Sequence, residues 1–162
     1  MKILVLSDSH GRYEYIYSII FNNADSDIII HLGDGVDDVD EAVRDVANDR
    51  PLKVERVIKV RGNCDMFSNE AVTSFDNIGD HKFYVTHGYV QGVRSAAGRD
   101  NLYVDARNNE RDVALFGHTH QPLFEDREGV YLFNPGAVKD GRYGIINIDD
   151  NSGEMEFLHR EL

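Results

Sequence analysis

The sequence has one cysteine, three prolines and no tryptophan, and each shortage narrows what the chain can be. With Cys64 alone, an intramolecular disulfide and a cysteine-only zinc site are both excluded, so any metal must rest mainly on His, Asp, Glu or Asn. So little proline, with no repeat or low-complexity tract, excludes a fibrous or disordered chain. Long apolar runs are also missing. Runs such as Ile3 to Leu6 and Ile28 to Ile30 fall far short of the roughly 18 residues a membrane span needs. Met1-Lys2, four apolar residues and Ser7-Asp8-Ser9-His10 supply neither a signal-peptide core nor a small-residue cleavage site, so the cytoplasm is the expected compartment. Positive charge is scarce too: 17 Lys and Arg stand against 29 Asp and Glu, a formal charge of -12 that repels duplex nucleic acid and other long polyanions. A small phosphate ester remains compatible with that field if some of the acids hold divalent metal.

What is present suits one soluble domain over residues 1–162, with 41% hydrophobic and 28% charged residues. A chain of this length buries roughly 70% of its unfolded surface. Lys2 to Ser7 reads as a buried strand, and Tyr13, Ile16, Tyr17 and Ile20 recur at helical spacing with the tyrosines expected in the core. Ile28 to Leu32 is a second strand. Val36, Val39, Val43, Val46 and Ala47 then line one face of a helix whose solvated face carries Asp37, Asp38, Asp40, Glu41 and Asp45. Val54 to Val60 completes a β-α-β-α-β unit and implies a parallel sheet. Beyond Gly62 the pattern is mostly antiparallel. A hairpin turns at Gly79-Asp80 between Ala71–Phe75 and Lys82–Thr86, and a short helix at Asn101–Asn108 precedes a strand at Val113–Phe116. Further strands are expected at Leu123–Glu125, Val130–Phe133, Tyr143–Ile148 and Glu154–His159.

The chemistry lies at the strand ends. Asp8 and His10 follow the first strand, Gly33-Asp34 the second, Gly62-Asn63 the third, His87-Gly88 the hairpin, and Gly117-His118-Thr119-His120 the strand ending at Phe116. In open α/β sheets the carboxyl ends of parallel strands converge on the ligand crevice, so these separated positions can meet. Asp8, His10, Asp34, Asn63, His87, His118 and His120 offer two carboxylates, one carboxamide oxygen and four imidazoles. That set is too large for one tetrahedral zinc and suits two ions sharing a carboxylate, with Asp34 the natural bridge. Taken singly, Asp8 and Asp34 read as helix caps, and His118 and His120 as exposed polar residues. Those readings leave unexplained why all seven follow strands. A pair of divalent ions activates a bridging water and orients a phosphoryl group, the makings of a hydrolase.

These motifs, Asp8-Ser9-His10, Gly33-Asp34, Gly62-Asn63-Cys64-Asp65, His87-Gly88 and Gly117-His118-Thr119-His120, resemble the ordered set of the calcineurin-like metallophosphoesterases. The resemblance runs from residue 1 to about residue 150 and is greatest to the small single-domain branch of YfcE-like phosphodiesterases, which shares the Asn134-Pro135-Gly136 turn. It implies an α/β fold, a four-layer α-β-β-α sandwich with mixed sheets. It implies also that Asp8, His10, Asp34 and His120 hold one ion, and Asp34, Asn63, His87 and His118 the other. Family members use manganese, iron, zinc or nickel, and manganese is the ion expected to support activity here.

Two departures stand out. Where many relatives carry a histidine that is thought to protonate the leaving group, this chain has Cys64, a poor replacement at neutral pH, although the substitution recurs in the small branch. Tyr89 stands where relatives often read Thr-His-Gly-His. Asp34, Asn63, His87, Cys64 and Asp65 are the candidates for direct participation, Asp65 by orienting a ligand or water, although Cys64 also reads as a packing residue and Asp65 as an exposed turn residue. Asn134 and Gly136 are expected to shape a loop at the cleft. Arg94, Lys139 and Arg142 suit phosphate contact, though surface cations are common. His31, His81 and His159 have no motif context and read as surface or structural. The expected function is hydrolysis of small or activated phosphodiesters by a metal-bridging hydroxide. The alternatives are a phosphomonoesterase or nucleotide phosphatase on the same core, and a non-catalytic scaffold on the same fold. The expected partner is a small phosphodiester, with neither duplex nucleic acid nor membrane, and edge strands leave homo-oligomer formation open.

Overall fold

A computed structural model describes all 162 residues. Alternation in the first strand explains the layering. In β1 (Lys2–Leu6), Ile3 and Val5 point to one face and Leu4 and Leu6 to the other, and all four are fully buried. A strand buried on both faces must be covered on both. Ile3 and Val5 join Ile28, Ile30, Leu32, Ile58 and Val60 in packing against Phe83, Val85, Val113, Leu115 and Phe133 of a second sheet. Leu4, Leu6 and Ile29 instead meet Ile16, Ile19, Ile20, Val39 and Val46 on two helices.

The first sheet runs β10-β9-β1-β2-β3, where β2 is Ile28–His31, β3 is Arg56–Lys59, β9 is Arg142–Ile148 and β10 is Met155–Glu161. Strands β1, β2 and β3 are parallel, as the crossovers α1 (Tyr13–Asn22) and α2 (Val36–Asp49) require, and β9 and β10 close the edge antiparallel. The second sheet runs β4-β5-β6-β8-β7, comprising Thr73–Ile78, His81–Thr86, Val113–Leu115, Val130–Asn134 and Leu123–Arg127 respectively. Helix α3 (Ala96–Asn108) covers its outer face through Leu102 and Ala106 against Ala114, Phe116 and Leu132. The result is four layers, α-β-β-α, with both sheets mixed. No helix is long and apolar enough to cross a membrane.

Four details depart from the sequence reading. The centre of the second sheet is parallel, β5-β6-β8, because α3 and β7 act as crossovers between these strands. Helix α3 begins five residues before the expected Asn101. The Ser95 hydroxyl caps it by accepting from the Gly98 amide, and Gly98 lies so close to the Gly92 carbonyl that no Cβ would fit, so this glycine inside the helix is a packing requirement. On α2 the buried stripe includes Ala42, while Ala47 is exposed. Tyr13 and Tyr17 are half-buried at the edge of the core: their rings pack against it while their hydroxyls donate to Asp45 and Asp49 of α2, tying the two helices along the acidic face.

His81 stitches the two sheets at the end opposite the motifs. Its Nδ1 lies 2.8 Å from the Asp112 carboxylate and its Nε2 2.7 Å from the Gly153 carbonyl in the β9–β10 turn. Both nitrogens donate only when the ring is protonated. Burial opposes that charge, but the bonds to Asp112 and the Gly153 carbonyl and the charges of Asp112 and Asp80 together outweigh it and raise the imidazole above its ordinary value. The added stability is therefore complete below about pH 6.5 and is lost as pH rises through the raised native value. We expect H81A to be about 1–2 kcal/mol less stable than the wild type at pH 6, with the gap narrowing by pH 9 in urea titrations. A gap independent of pH would show that the ring is held neutral.

Candidate metal centre

Asp8, two residues past the end of β1, is fully buried with φ of 56°. The Ser7 hydroxyl (2.5 Å) and the His118 amide (3.0 Å) donate to its Oδ2. Its Oδ1 faces the cleft and accepts no hydrogen bond, although three imidazole Nε2 atoms surround it, of His120 at 3.1 Å, His10 at 3.9 Å and His87 at 3.9 Å. Asp34 enters from the end of β2, with Oδ1 accepting from the Cys64 amide at 2.7 Å. Its Oδ2 lies between His87 Nε2 at 3.4 Å and His10 Nε2 at 3.8 Å. Burial works against ionisation of Asp34, but the neighbouring His87 imidazole and the Cys64 amide prevail and hold its carboxyl well below the usual range.

His87 comes from the second sheet and is fully buried. Its Nδ1 donates to the Leu32 carbonyl at 2.7 Å, which leaves Nε2 as the atom facing both carboxylates, buried and without a hydrogen-bond partner. Burial disfavours its proton, yet Asp34 and Asp8 raise its affinity for one, the mark of a site that attracts positive charge. His10 and His120 bring their Nε2 atoms within 3.3 Å of each other. Burial, followed by the charges of His87 and Arg94, lowers His118; burial also lowers His120. Both rings are thereby biased toward the neutral form that binds metal.

The structure thus groups Asp8 with His10 and His120, and Asp8 with Asp34 and His87, each set with one donor atom apiece inside 4.8 Å. A third group joins His10, Asp34 and Cys64. His118 stands at the rim, its ring 5.0 Å from that of His87. Asn63 is exposed, its amide nitrogen donating to Cys64 Sγ at 3.3 Å, so its oxygen stays free of bonds within the chain. These residues fit divalent cations: Asp8 Oδ1 and His87 Nε2 are buried lone-pair atoms that no protein donor satisfies.

Five of the seven expected donors, Asp8, His10, Asp34, His118 and His120, adopt positive φ of 47° to 65°. Outside this cleft only Glu110 and Glu128 do so among non-glycine residues. Such conformations cost of order 1–3 kcal/mol each and persist where the surroundings over-determine them. Asp65 supplies much of that restraint. Its Oδ2 accepts from the Asp34 and Gly62 amides, both at 2.7 Å, and its Oδ1 from Gly35 at 2.8 Å and Val36 at 3.3 Å at the N-terminus of α2. With both oxygens bound to backbone, Asp65 holds the ligand candidate Asp34 through its amide, the orienting role weighed from the sequence, and it is half-buried, not an exposed turn residue. Gly62 is compulsory for the same contact, since a Cβ there would come 2.1 Å from Asp34 Oδ1.

Cys64 is exposed at the mouth, and burial together with Asp34 raises its thiol, which stays protonated at neutral pH. On the far side Asn134 is buried and donates to the Gly117 carbonyl (2.8 Å) and the Thr119 hydroxyl (3.1 Å), while accepting from the Gly136 amide. It braces the loop carrying His118 and His120, and His159 in turn donates to its carbonyl. His31, buried in β2 and pushed by that burial down to about 4, accepts from the Gly33 amide and is structural. Arg142 pairs with Glu161 and is occupied. What sequence reasoning did not identify is the partners of Asp65 and His159, backbone amides for one and the Asn134 carbonyl for the other, and the one available signal was Asp65 lying three residues after Gly62.

Fold and donor set together define a metal-dependent phosphoester-cleaving architecture, and comparison with known proteins agrees. The chain belongs to the calcineurin-like phosphoesterase superfamily, whose domain matches residues 1–149. Membership implies a divalent cation. The chain is 29% identical to the probable metallophosphoesterase YsnB of Bacillus subtilis, over 97% of this chain and 90% of that protein. It is 30% identical to the phosphodiesterase MJ0936 of Methanocaldococcus jannaschii, over 91% and 90%. In fold it is similar to zinc-complexed Vps29 of Entamoeba histolytica, with a TM-score of 0.75, 18% identity and 99% of each chain covered.

If Asp65 braces the site as described, D65A lowers stability by about 3 kcal/mol, since four backbone donors lose a charged acceptor. Urea unfolding of metal-stripped protein measures this, and a loss under about 0.5 kcal/mol would refute the bracing role.

Proposed function

We propose that this protein is a metal-dependent phosphodiesterase, a hydrolase of small or activated phosphodiesters, at a site built for two divalent ions. The observation that carries this reading is the convergence of Asp8 and Asp34 with His87 from the other sheet, leaving Asp8 Oδ1 and His87 Nε2 buried and unsatisfied. Asp8, His10, Asp34 and His120 would hold one ion, and Asp34, Asn63, His87 and His118 the other. Bound there, divalent ions supply an activated water and neutralise charge on the phosphoryl group. Manganese is the ion we expect to support turnover, in a cytoplasmic enzyme.

The chain's own contribution is positioning. The Leu32 carbonyl fixes the His87 tautomer, the Cys64 amide orients Asp34, and Asn134 holds the histidine loop. Cys64, protonated and facing Asn63, is poorly suited to pass a proton to a departing alkoxide. Substrates whose leaving group departs as a stable anion are therefore favoured. The -12 charge works against long nucleic acid strands.

The test is hydrolysis of bis-p-nitrophenyl phosphate by chelator-stripped protein before and after manganese, beside p-nitrophenyl phosphate. The diester should be turned over only with metal and faster than the monoester. D34N should lower kcat/KM by more than the 10–100-fold typical of losing an outer partner of a metal ligand. Faster monoester hydrolysis would make the protein a phosphomonoesterase, and full activity in D34N would remove the mechanism.

A further inference from the structure

Of the seventeen lysines and arginines, three have side chains that meet no carboxylate within 4.0 Å and donate no hydrogen bond: Arg61, Arg94 and Lys139. In a chain with 29 acids, an unpaired cation is the exception, and all three exceptions border the metal centre. The Lys139 amide donates to the Asp8 carbonyl. Arg94 follows Val93, whose side chain packs on Gly88 directly after His87. Arg61 precedes Gly62 and Asn63, and its Nε is buried without a partner. With Asn63, Met66 and Tyr89 it lines a cavity of about 270 Å³. Met66 is 76% exposed at its edge, with Phe67 beside it at 95%.

The same turn carries Cys64. A site without an imidazole acid needs a leaving group that is stable as an anion, and a site with an unpaired arginine beside that position can receive one. An aryl ester satisfies the first condition only. A phosphoanhydride satisfies both, because the departing group is itself a phosphate.

We propose that the substrate is a diphosphate diester, cleaved at its anhydride bond, with Arg61 binding the departing phosphate and Met66 and Tyr89 bordering the organic group it carries. This rests on the phosphodiesterase reading above and adds the substrate class. One water is consumed: its oxygen bonds to one phosphorus, the bridging P–O bond breaks, and that electron pair stays on the departing phosphate oxygen. Two phosphate monoesters result, and the water's protons pass to solvent or to the products, whose second ionisation lies near pH ~6. Arg94 and Lys139 flank the centre on the His118 and His120 sides and favour a substrate of higher charge than a simple diester.

Two substrates with leaving groups of similar acidity test this in manganese-loaded protein: adenosine 5′-diphosphate methylated on its terminal phosphate, and the p-nitrophenyl ester of adenosine 5′-monophosphate. The wild type should favour the diphosphate by about tenfold or more in kcat/KM, the effect of one charge-assisted hydrogen bond. R61Q should bring that ratio close to one through a higher KM for the diphosphate, R61K should recover part of it, and R44Q, remote on α2, should leave it unchanged. Because each ratio comes from one preparation, partial misfolding cancels. A wild-type ratio of one or below, or a ratio untouched in R61Q, overturns the proposal while leaving the phosphodiesterase reading intact. Inactivity on both substrates and on bis-p-nitrophenyl phosphate overturns both.

Discussion

Everything in this cleft is arranged around a buried electrostatic conflict. Asp8 Oδ1 and Asp34 Oδ2 both face His10 and His87 at 3.4 to 3.9 Å, in a pocket where Asp8 and His87 have no exposed surface. Two carboxylates this close and this deep are tolerable only with positive charge between them. Divalent cations would supply that charge and would also occupy the lone pairs that no donor reaches. Acid should consequently compete with metal, since protonated imidazoles repel the ions they would otherwise bind.

The sandwich exists to sustain that conflict. Asp8 and Asp34 leave neighbouring parallel strands of the first sheet, whereas His87, His118 and His120 leave the second, so neither sheet alone contains the site. Phe83, Val85 and Leu115 pressed against Ile3, Val5 and Ile30 hold the strand ends together by burial of apolar surface. Local bonds then set the angles: the Asp8 amide donates to Gly33, the His10 amide to the Asp34 carbonyl, and Asp65 ties Asp34 to Gly62. Left-handed backbone at five donor positions is the strain that remains, as expected where a loop must turn sharply to aim a ligand.

Much of this was legible in the sequence because it depends on local pattern. Buried strands such as Ile28–His31 announce themselves by apolar runs, and donors placed directly after them announce a convergent site. What was hidden depends on distant partners. The parallel centre β5-β6-β8 cannot be read from segments whose neighbours lie far along the chain. The early start of α3 depends on the Ser95 cap and on Gly98 fitting against the Gly92 carbonyl, a contact made outside the helix. Asp65 was legible as an orienting acceptor, but nothing local shows that its partners are four backbone amides, among them that of Asp34. Arg61 attracted no notice because an arginine is remarked only when the acids that should pair with it are seen to be elsewhere.

The central claim is that two cations, and not one, resolve the conflict between Asp8 and Asp34. Its most direct test is manganese stoichiometry: equilibrium dialysis of chelator-stripped protein at neutral pH, followed by elemental analysis, for the wild type and for D34N. Two ions per chain in the wild type, with fewer retained by D34N, is the predicted result. Saturation at a single ion, or two ions held equally well without the Asp34 carboxylate, would contradict it.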